Sequence, residues 1–600
     1  MVMRLLAALE RRRLDFGDGA AAFRLDGLRQ LARARLRSAA AVRRLHELLC
    51  FIRAYPDNAA VQTLAARLLD GFAQRADLRA HAKALANTGI AGTPIHFRFF
   101  AGQAQWLAAH WPQQLSLDRS DREGEARIAQ ALTVLLTHAE GVSLREVPRA
   151  GFATLDRLRN PQGAETDATF LLRRIAAMPG NGFTREAFCD AIDASYTLAA
   201  SPSTPSRSIA FWPKAPLAFR REAPPRTRPD LRAELQRPPR RIRRLSVTDG
   251  QALVDLARAA MVTRERSLEA FSFADPRDAW LVDDGDGLAF AFAGVVPERR
   301  HAVFSYVGAI TLRNGVPIGY TQADVLGTAA ALSFNTFESF RGAEAAFSFA
   351  RWLAALHALL GCAHFTIEPY QLGDHNSEAI ESGAWWFYAK LGFVPRDGDT
   401  LRLMQREQAR LRRHAAGKAA ATSGGRTPAA ILARLARHHL YFDVGDPRPL
   451  VTPAMVGDAI GAALSARGAR MGDASNREQA IDNAVAELNH LCAPTPPRGP
   501  TAELSQAARS HAARSQAGTR AALGVGPHEA WRRLAPLLLM LEPQRWPQRD
   551  RQALAELAHA KGGRSERGFV AAWQAHPRLD AALLNLFEPQ LSPPHHKQAP

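Results

Sequence analysis

Cysteine is scarce in this chain. Four residues, Cys50, Cys189, Cys362 and Cys492, are spread over 600 positions and form no CxxC pair. That excludes a disulfide framework and the usual zinc-ligand spacing, so a reducing compartment is expected and no metal. Long apolar runs are missing too. The longest, LAPLLLML at 534–541, is far too short to cross a bilayer. The N-terminal MVMRLLAALERRR has its charges after its apolar residues, the reverse of a secretory leader. A cytoplasmic protein without a membrane partner is expected. Acidic residues are outnumbered, 58 against 77 Lys and Arg, for a net charge of +19. The excess is mostly Arg scattered along an Ala-rich chain, which fits GC-rich coding better than the clustered basic face a nucleic-acid site needs. Nucleic acid is therefore a partner the composition allows without favouring.

Alternating strand patterns are also scarce in the first 200 residues. Pro56-Asp57-Asn58 starts a helix carrying Val61, Leu64, Leu68 and Phe72 at helical spacing. Similar stripes recur at 128–138 and 185–198. Residues 1–200 read as a helical domain. Residues 201–242, with PKAP, APPRTRP and RPPRRIRR, read as a Pro- and Arg-rich linker, or as a strap over a neighbouring surface. Residues 243–404 have mixed α/β character. Apolar extended runs cover 288–296, 302–312 and 330–340, and Asn314-Gly315 between β-rich runs predicts a hairpin. A helix is predicted over 342–360, then a strand at 365–370 and a helix ending in WFYAKLGF. Residues 405–492 read as helical, including an amphipathic helix in TPAAILARLARHHLYFDV with Thr427 as its cap. Residues 493–527 form a low-complexity linker, 528–590 a helical region, and 591–600 a tail. Within 405–492, residues 415–427 read as a further linker, and His595-His596 in the tail is a weak metal signal.

One segment has a specific physical use. Helix N-termini leave backbone N–H groups unpaired at the positive end of the dipole, so a diphosphate can be held there by main-chain donors. Glycine allows close approach and arginine adds a charged fork. Ser339-Phe340-Arg341-Gly342-Ala343-Glu344-Ala345 places these features between a strand and a long amphipathic helix.

At this point the central region resembles the GNAT acetyltransferase superfamily. Arg341 and Gly342 match the family's phosphate loop, whereas Glu344 stands where its second glycine usually lies. A carboxylate at that place is expected to obstruct the cradle and oppose an anion. WWFYAKLGFVPR at 385–396 looks like the family's LYEKLGFRP signature, and Asn376-Ser377-Glu378-Ala379-Ile380 looks like its N-x-x-A-I. The resemblance covers about 160 residues, a domain-scale stretch. It implies a GNAT-like α/β (α+β) domain, its mixed sheet containing a splayed strand pair, between large all-α flanks.

The resemblance also implies acetyl-CoA or another acyl-CoA as cofactor, held by Phe337, Ser339, Arg341, Gly342, Ala343, Glu344, Ala345 and Asn376. A backbone N–H around 337–339 would polarise the thioester carbonyl. Tyr388 would protonate the departing thiolate, with Glu338 or Glu368 as base toward the amine. Each has a plainer reading: Tyr388 as a core aromatic, Glu338 as a solvated loop charge, Glu368 as an arginine partner. Asp374, His375 and Asn376 could line the acceptor pocket or simply make a turn. The expected activity is N-acyl transfer to an unidentified amine. The alternatives are an inactive scaffold that docks a protein partner through the helical flanks, and an aminoacyl-tRNA-dependent transferase.

Overall fold

The computed structural model describes residues 2–146, 150–159, 165–223, 227–342, 344–416, 425–472, 476–493 and 526–591. The expected linker at 493–527 and the tail with His595 and His596 lie wholly or largely outside them, as does most of 415–427. Side-chain caps start the early helices. Ser38 accepts from the Ala41 N–H at the head of Ala39–Ala54, and Asn58 accepts from Val61 at the head of Ala59–Asp70. Three short strands, β1 (Ile95–Phe97), β2 (Leu115–Leu117) and β3 (Tyr196–Leu198), pair antiparallel in the order β1-β3-β2. The helical reading of 1–200 misses them because three residues carry too little alternation to register.

The chain as a whole is mixed α/β, with a large mixed sheet and helical regions around it. Its nine strands run in the order β11-β12-β10-β9-β8-β7-β6-β5-β4. They are β4 (Arg241–Arg244), β5 (Ala274–Gly285), β6 (Leu288–Val295), β7 (Ser305–Arg313), β8 (Val316–Leu326), β9 (Ala329–Thr336), β10 (His364–Ile367), β11 (Val394–Pro395) and β12 (Leu440–Asp443). Neighbours are antiparallel except β9 and β10. Two strands depart from the sequence reading. β5 begins ADPRD, turn chemistry that conceals a strand with two register shifts. β12 lies in the stretch read as one amphipathic helix. That helix stops at Leu435, and Leu440–Asp443 inserts between β10 and β11. The sheet is therefore completed beyond residue 404, by a segment placed among the helical flanks.

One face of the sheet, with Phe290, Phe292, Val325 and Leu332, packs on Phe349, Trp352, Leu353 and Leu356 of the helix Ala345–Leu360. The opposite face, with Ala289, Ala291, Ile310 and Ile318, packs on the N-terminal helices and on Val247–Val262. The C-terminal helices cover Val303, Phe304 and Leu326.

Before Leu231 the described part of 201–242 is a strap; the rest of the expected linker holds a short helix, Leu231–Gln236, and the first residues of β4. The Trp212 N–H donates to the Gly315 carbonyl at 2.8 Å, and the Ala218 N–H donates to Asn314 Oδ1 at 2.7 Å. Asn314 and Gly315 both have positive φ, as a two-residue hairpin between β7 and β8 requires. Asn314 Nδ2 also donates to the Ala54 and Ala218 carbonyls, at 2.8 and 3.0 Å. The turn thus ties the N-terminal helix Ala39–Ala54 and the strap to the sheet. Asn314→Gly keeps the backbone geometry and removes these bonds. It is expected to destabilise the chain by about 1–3 kcal/mol, read as a lower denaturant midpoint. An unchanged midpoint would show that the turn does not anchor the strap.

Candidate functional site

β9 pairs with β8 along its whole length but with β10 only from Ala329 to Leu332. After Ile367 the chain leaves the sheet through Glu368 and Pro369 into the short helix Pro369–Leu372. Ser333–Thr336 therefore have no strand on that side, and the parallel pair opens into a gap. The Phe337 N–H donates to the Ile318 carbonyl at 2.9 Å, so odd-numbered residues of β9 address β8. Alternation along the ladder turns the Phe334 and Thr336 backbone groups into the gap. Accordingly the Thr336 carbonyl accepts from Arg341 Nε at 3.1 Å.

The gap widens into a cavity of about 470 Å³. It gathers Arg341, Gly342, Ala345, Asn376 and Tyr388 from the residues singled out in the sequence, together with Tyr320, Gln322 and Phe334. Gly342 has φ 79, and a Cβ there would meet nothing within 4 Å. The helix Ala345–Leu360 starts at this cavity with no side-chain cap. Asn376 Oδ1 accepts from the Ala379 N–H, and its Nδ2 donates to the Tyr370 carbonyl at 3.1 Å. Gly383, with φ 68, joins the helices Ser377–Ser382 and Ala384–Ala389, and the second of these carries Tyr388.

Glu344 is not where the sequence places it. Its side chain is buried and bonded to Arg313 and Arg220, away from the cavity. The carboxylate does not enter the cavity, because a buried arginine on β7 holds it. Phe337 and Ser339 also miss the cavity. The 3-10 turn Glu338–Phe340 tucks them toward the N-terminal helices. The Phe337 ring lies 3.6 Å from the Arg264 guanidinium, and the Ser339 hydroxyl bonds to Glu47 and Arg207. With its N–H spent on Ile318, Phe337 cannot polarise a carbonyl; Phe334 and Thr336 are the residues whose backbone faces the gap. Glu338 is exposed and pairs with Arg43 at 2.9 Å, outside the cavity. Ala343 lies outside the described residues.

Tyr388 is buried against Phe349, Phe387 and Phe393, and its hydroxyl has no hydrogen-bond partner among the described residues. Burial, and then the Tyr320 hydroxyl, push its pKa well above the ordinary phenol range, so it holds its proton. At the mouth, Glu378 pairs with Arg341 at 2.8 Å and Arg266 at 3.3 Å. Arg341 is the main cause of its lowered carboxyl pKa. A second hollow of about 460 Å³ shares Arg266, Arg341 and Glu378 and adds Arg43, Arg207, Arg264, Glu265 and Glu338. Its five arginines outnumber its three glutamates, so the mouth is basic on balance.

Asp324 follows Gln322 on the same face of β8, but neither it nor Glu368 lines the cavity beside Tyr388: both border a separate small hollow with Thr366, His439 and Arg448, and Glu269 is exposed. Sequence reasoning passed over Asp324 and Glu269. The signal for Asp324 lay in the alternation Tyr320, Gln322, Asp324 along an otherwise apolar strand. A larger hollow of about 770 Å³, lined by Lys390, Leu411, His414 and Leu432, includes neither the Arg341-Gly342 turn nor Tyr388.

Among the described residues no helix is long and apolar enough to cross a membrane. No protein-family model, curated protein or solved structure matches this chain.

Proposed function

We propose that the central sheet is a GNAT-like acyltransferase unit that moves an acyl group, acetyl in the simplest case, from acyl-CoA to an amine. The observation that carries this reading is the parallel pair β9/β10, joined over Ala329–Leu332 and open from Ser333 to Thr336. A pantetheine arm fits such a gap by hydrogen-bonding the free strand edge, as an added strand would. The uncapped helix tip, Gly342 and Arg341 then face the diphosphate. The sequence of the Arg341-Gly342 turn and of 385–396 supports the same reading.

The chemistry follows from the lining. The Phe334 N–H faces the gap and polarises the thioester carbonyl. The acceptor enters as an ammonium and gives one proton to a carboxylate, Glu368 at the end of β10 being the sequence-predicted base that follows the split, or to a water held by it. Its nitrogen attacks the carbonyl carbon, the C–N bond forms and the C–S bond breaks. Sulfur takes the Tyr388 proton, and the second nitrogen proton restores Tyr388 through water. The products are the amide, CoA thiol and one released proton.

Isothermal titration of the full chain with CoA is the test. Arg341→Ala is expected to weaken binding about 10-fold through loss of a charge-assisted bond, and Glu378→Gln to strengthen it several-fold by freeing Arg341. No heat and no thermal shift with millimolar CoA or acetyl-CoA would end the acyltransferase reading, and the fold would then be a scaffold for its helical flanks.

A further inference from the structure

The cleft has a second compartment. The hollow of about 460 Å³ shares Arg266, Asn335, Arg341 and Glu378 with the cavity beside Gly342 and Tyr388. Only the first cavity includes Ala345, at the tip of the helix that packs on one face of the sheet. Only the hollow includes Phe337, whose ring joins the core on the other face, together with Arg207 and residues between Ala84 and Thr88. Asn335 directly follows Phe334, so the hollow adjoins the strand edge at which the thioester is polarised.

Four of its five arginines are matched by carboxylates. Arg43 pairs with Glu338 at 2.9 Å, and Arg207 with Glu47 at 2.5 Å. Arg266 and Arg341 share Glu378, at 3.3 and 2.8 Å. Arg264 makes no ion pair among the described residues. Glu265, beside it in sequence, does not fill that role. Its Oε1 is buried without a hydrogen-bond partner, and the charge that acts on its burial-raised carboxyl is His96.

Arg264 is nevertheless held in place. Its Nη1 donates to the Ala260 carbonyl at 2.9 Å and to the Thr263 hydroxyl at 3.2 Å. Its guanidinium lies 3.6 Å from the centre of the Phe337 ring. Nε and Nη2 have no hydrogen-bond partner among the described residues. Those two N–H groups form one edge of the guanidinium plane, the edge that grips a carboxylate with two parallel bonds. Burial, and then Arg207, lower the pKa of Arg264. A cation desolvated in this way gains from an anion brought to it.

We infer that the hollow holds the carboxylate of the acceptor, and that the acceptor is an amino acid with an uncharged side chain. This rests on the acyl-transfer reading and names its substrate class. The carboxylate takes the open edge of Arg264. The amino group reaches the thioester at Phe334 past Asn335 and Arg266, the residues common to both compartments. Transfer then runs as for the amine above and gives an N-acyl amino acid, CoA thiol and one proton. A planar monoanion matches one unmatched guanidinium. A phosphate dianion leaves a charge over, and an acidic side chain brings a second anion for which no arginine remains. A polyamine or a basic side chain adds cations among five guanidinium groups.

The probe is an equimolar mixture of the L-amino acids with uncharged side chains, added at millimolar concentration to the full chain. The control is the mixture of their amides, which keeps every ammonium and side chain and removes the carboxylate. The amino acids are expected to raise the melting temperature and the amides not to. Arg264→Gln keeps a donor for Ala260 and is expected to melt close to the wild type. The amino-acid concentration that gives a set shift should rise about 10-fold or more in this variant. Should the variant fail to fold, the comparison of acids with amides in the wild type decides. No shift with the amino acids, or an equal shift with the amides, overturns the inference. So does an Arg264→Gln variant that loses affinity for CoA, because the hollow would then belong to the cofactor. CoA added separately tells the two ideas apart. A shift with CoA and none with the amino acids removes the carboxylate site and leaves acyl transfer. A shift with the amino acids and none with CoA keeps the site and removes acyl transfer.

Discussion

Glu344→Gly is expected to destabilise the chain by about 3–5 kcal/mol and to leave CoA affinity no better, although glycine is the residue the phosphate-loop pattern asks for. Arg313 is 1% and Glu344 3% exposed at their side chains, and Arg220 completes the cluster. Removing the carboxylate strands two guanidinium groups, one of them fully buried, and a buried charge without its partner is among the most destabilising of single changes. At roughly 2–4 °C per kcal/mol for a unit of this size, the melting temperature should fall by about 10 °C. Glu344→Gln, whose single amide oxygen can replace the acceptor for only one of the two arginines, should fall between. Calorimetry of the three proteins decides the matter. A glycine variant that melts with the wild type and binds CoA more tightly would show that Glu344 obstructs the helix tip after all.

Tyr388→Phe carries the largest expected effect on rate. A general acid of this kind contributes about 10²–10⁴-fold, so kcat for acyl transfer should drop by that order. KM for acyl-CoA should stay within about two-fold, because the hydroxyl meets sulfur only as it leaves. Stability should hardly move: the hydroxyl has no hydrogen-bond partner among the described residues, and the ring keeps its contacts with Phe349 and Phe393. Its raised pKa keeps Tyr388 protonated through neutral pH and beyond, so this group should cause no loss of rate between pH 6 and 9. A variant of full kcat would reduce Tyr388 to the core aromatic its position equally permits.

Part of this arrangement was legible along the chain. Asn314-Gly315 announced its hairpin, the runs at 288–296 and 302–312 announced buried strands, and the stretch 342–360 announced one long helix. The cleft was half legible. Arg341, Gly342, Ala345, Asn376 and Tyr388 lie in recognisable local patterns and do line one cavity. Phe337 and Ser339 were misplaced because nothing local says that the chain coils into a 3-10 turn after Thr336 and buries both against Glu47, Arg207 and Arg264. Glu338 was taken by Arg43, nearly 300 residues away. β12 was hidden because a four-residue strand after a helical stripe has no periodicity of its own.

Local sequence determined what depends on neighbours within a few residues: the hairpin, the capped helices, the Arg-Gly turn and the alternation that puts Tyr320, Gln322 and Asp324 on one face. Tertiary structure alone decided where the sheet splits, since that depends on Pro369 leaving β10 four residues into its pairing with β9. It also decided which charges are spent. Glu344 and Glu338 find arginines from distant elements, whereas Asp324 Oδ1 is buried without a hydrogen-bond partner among the described residues. Ion pairing is a property of points in space, and the chain brings those points together only by folding.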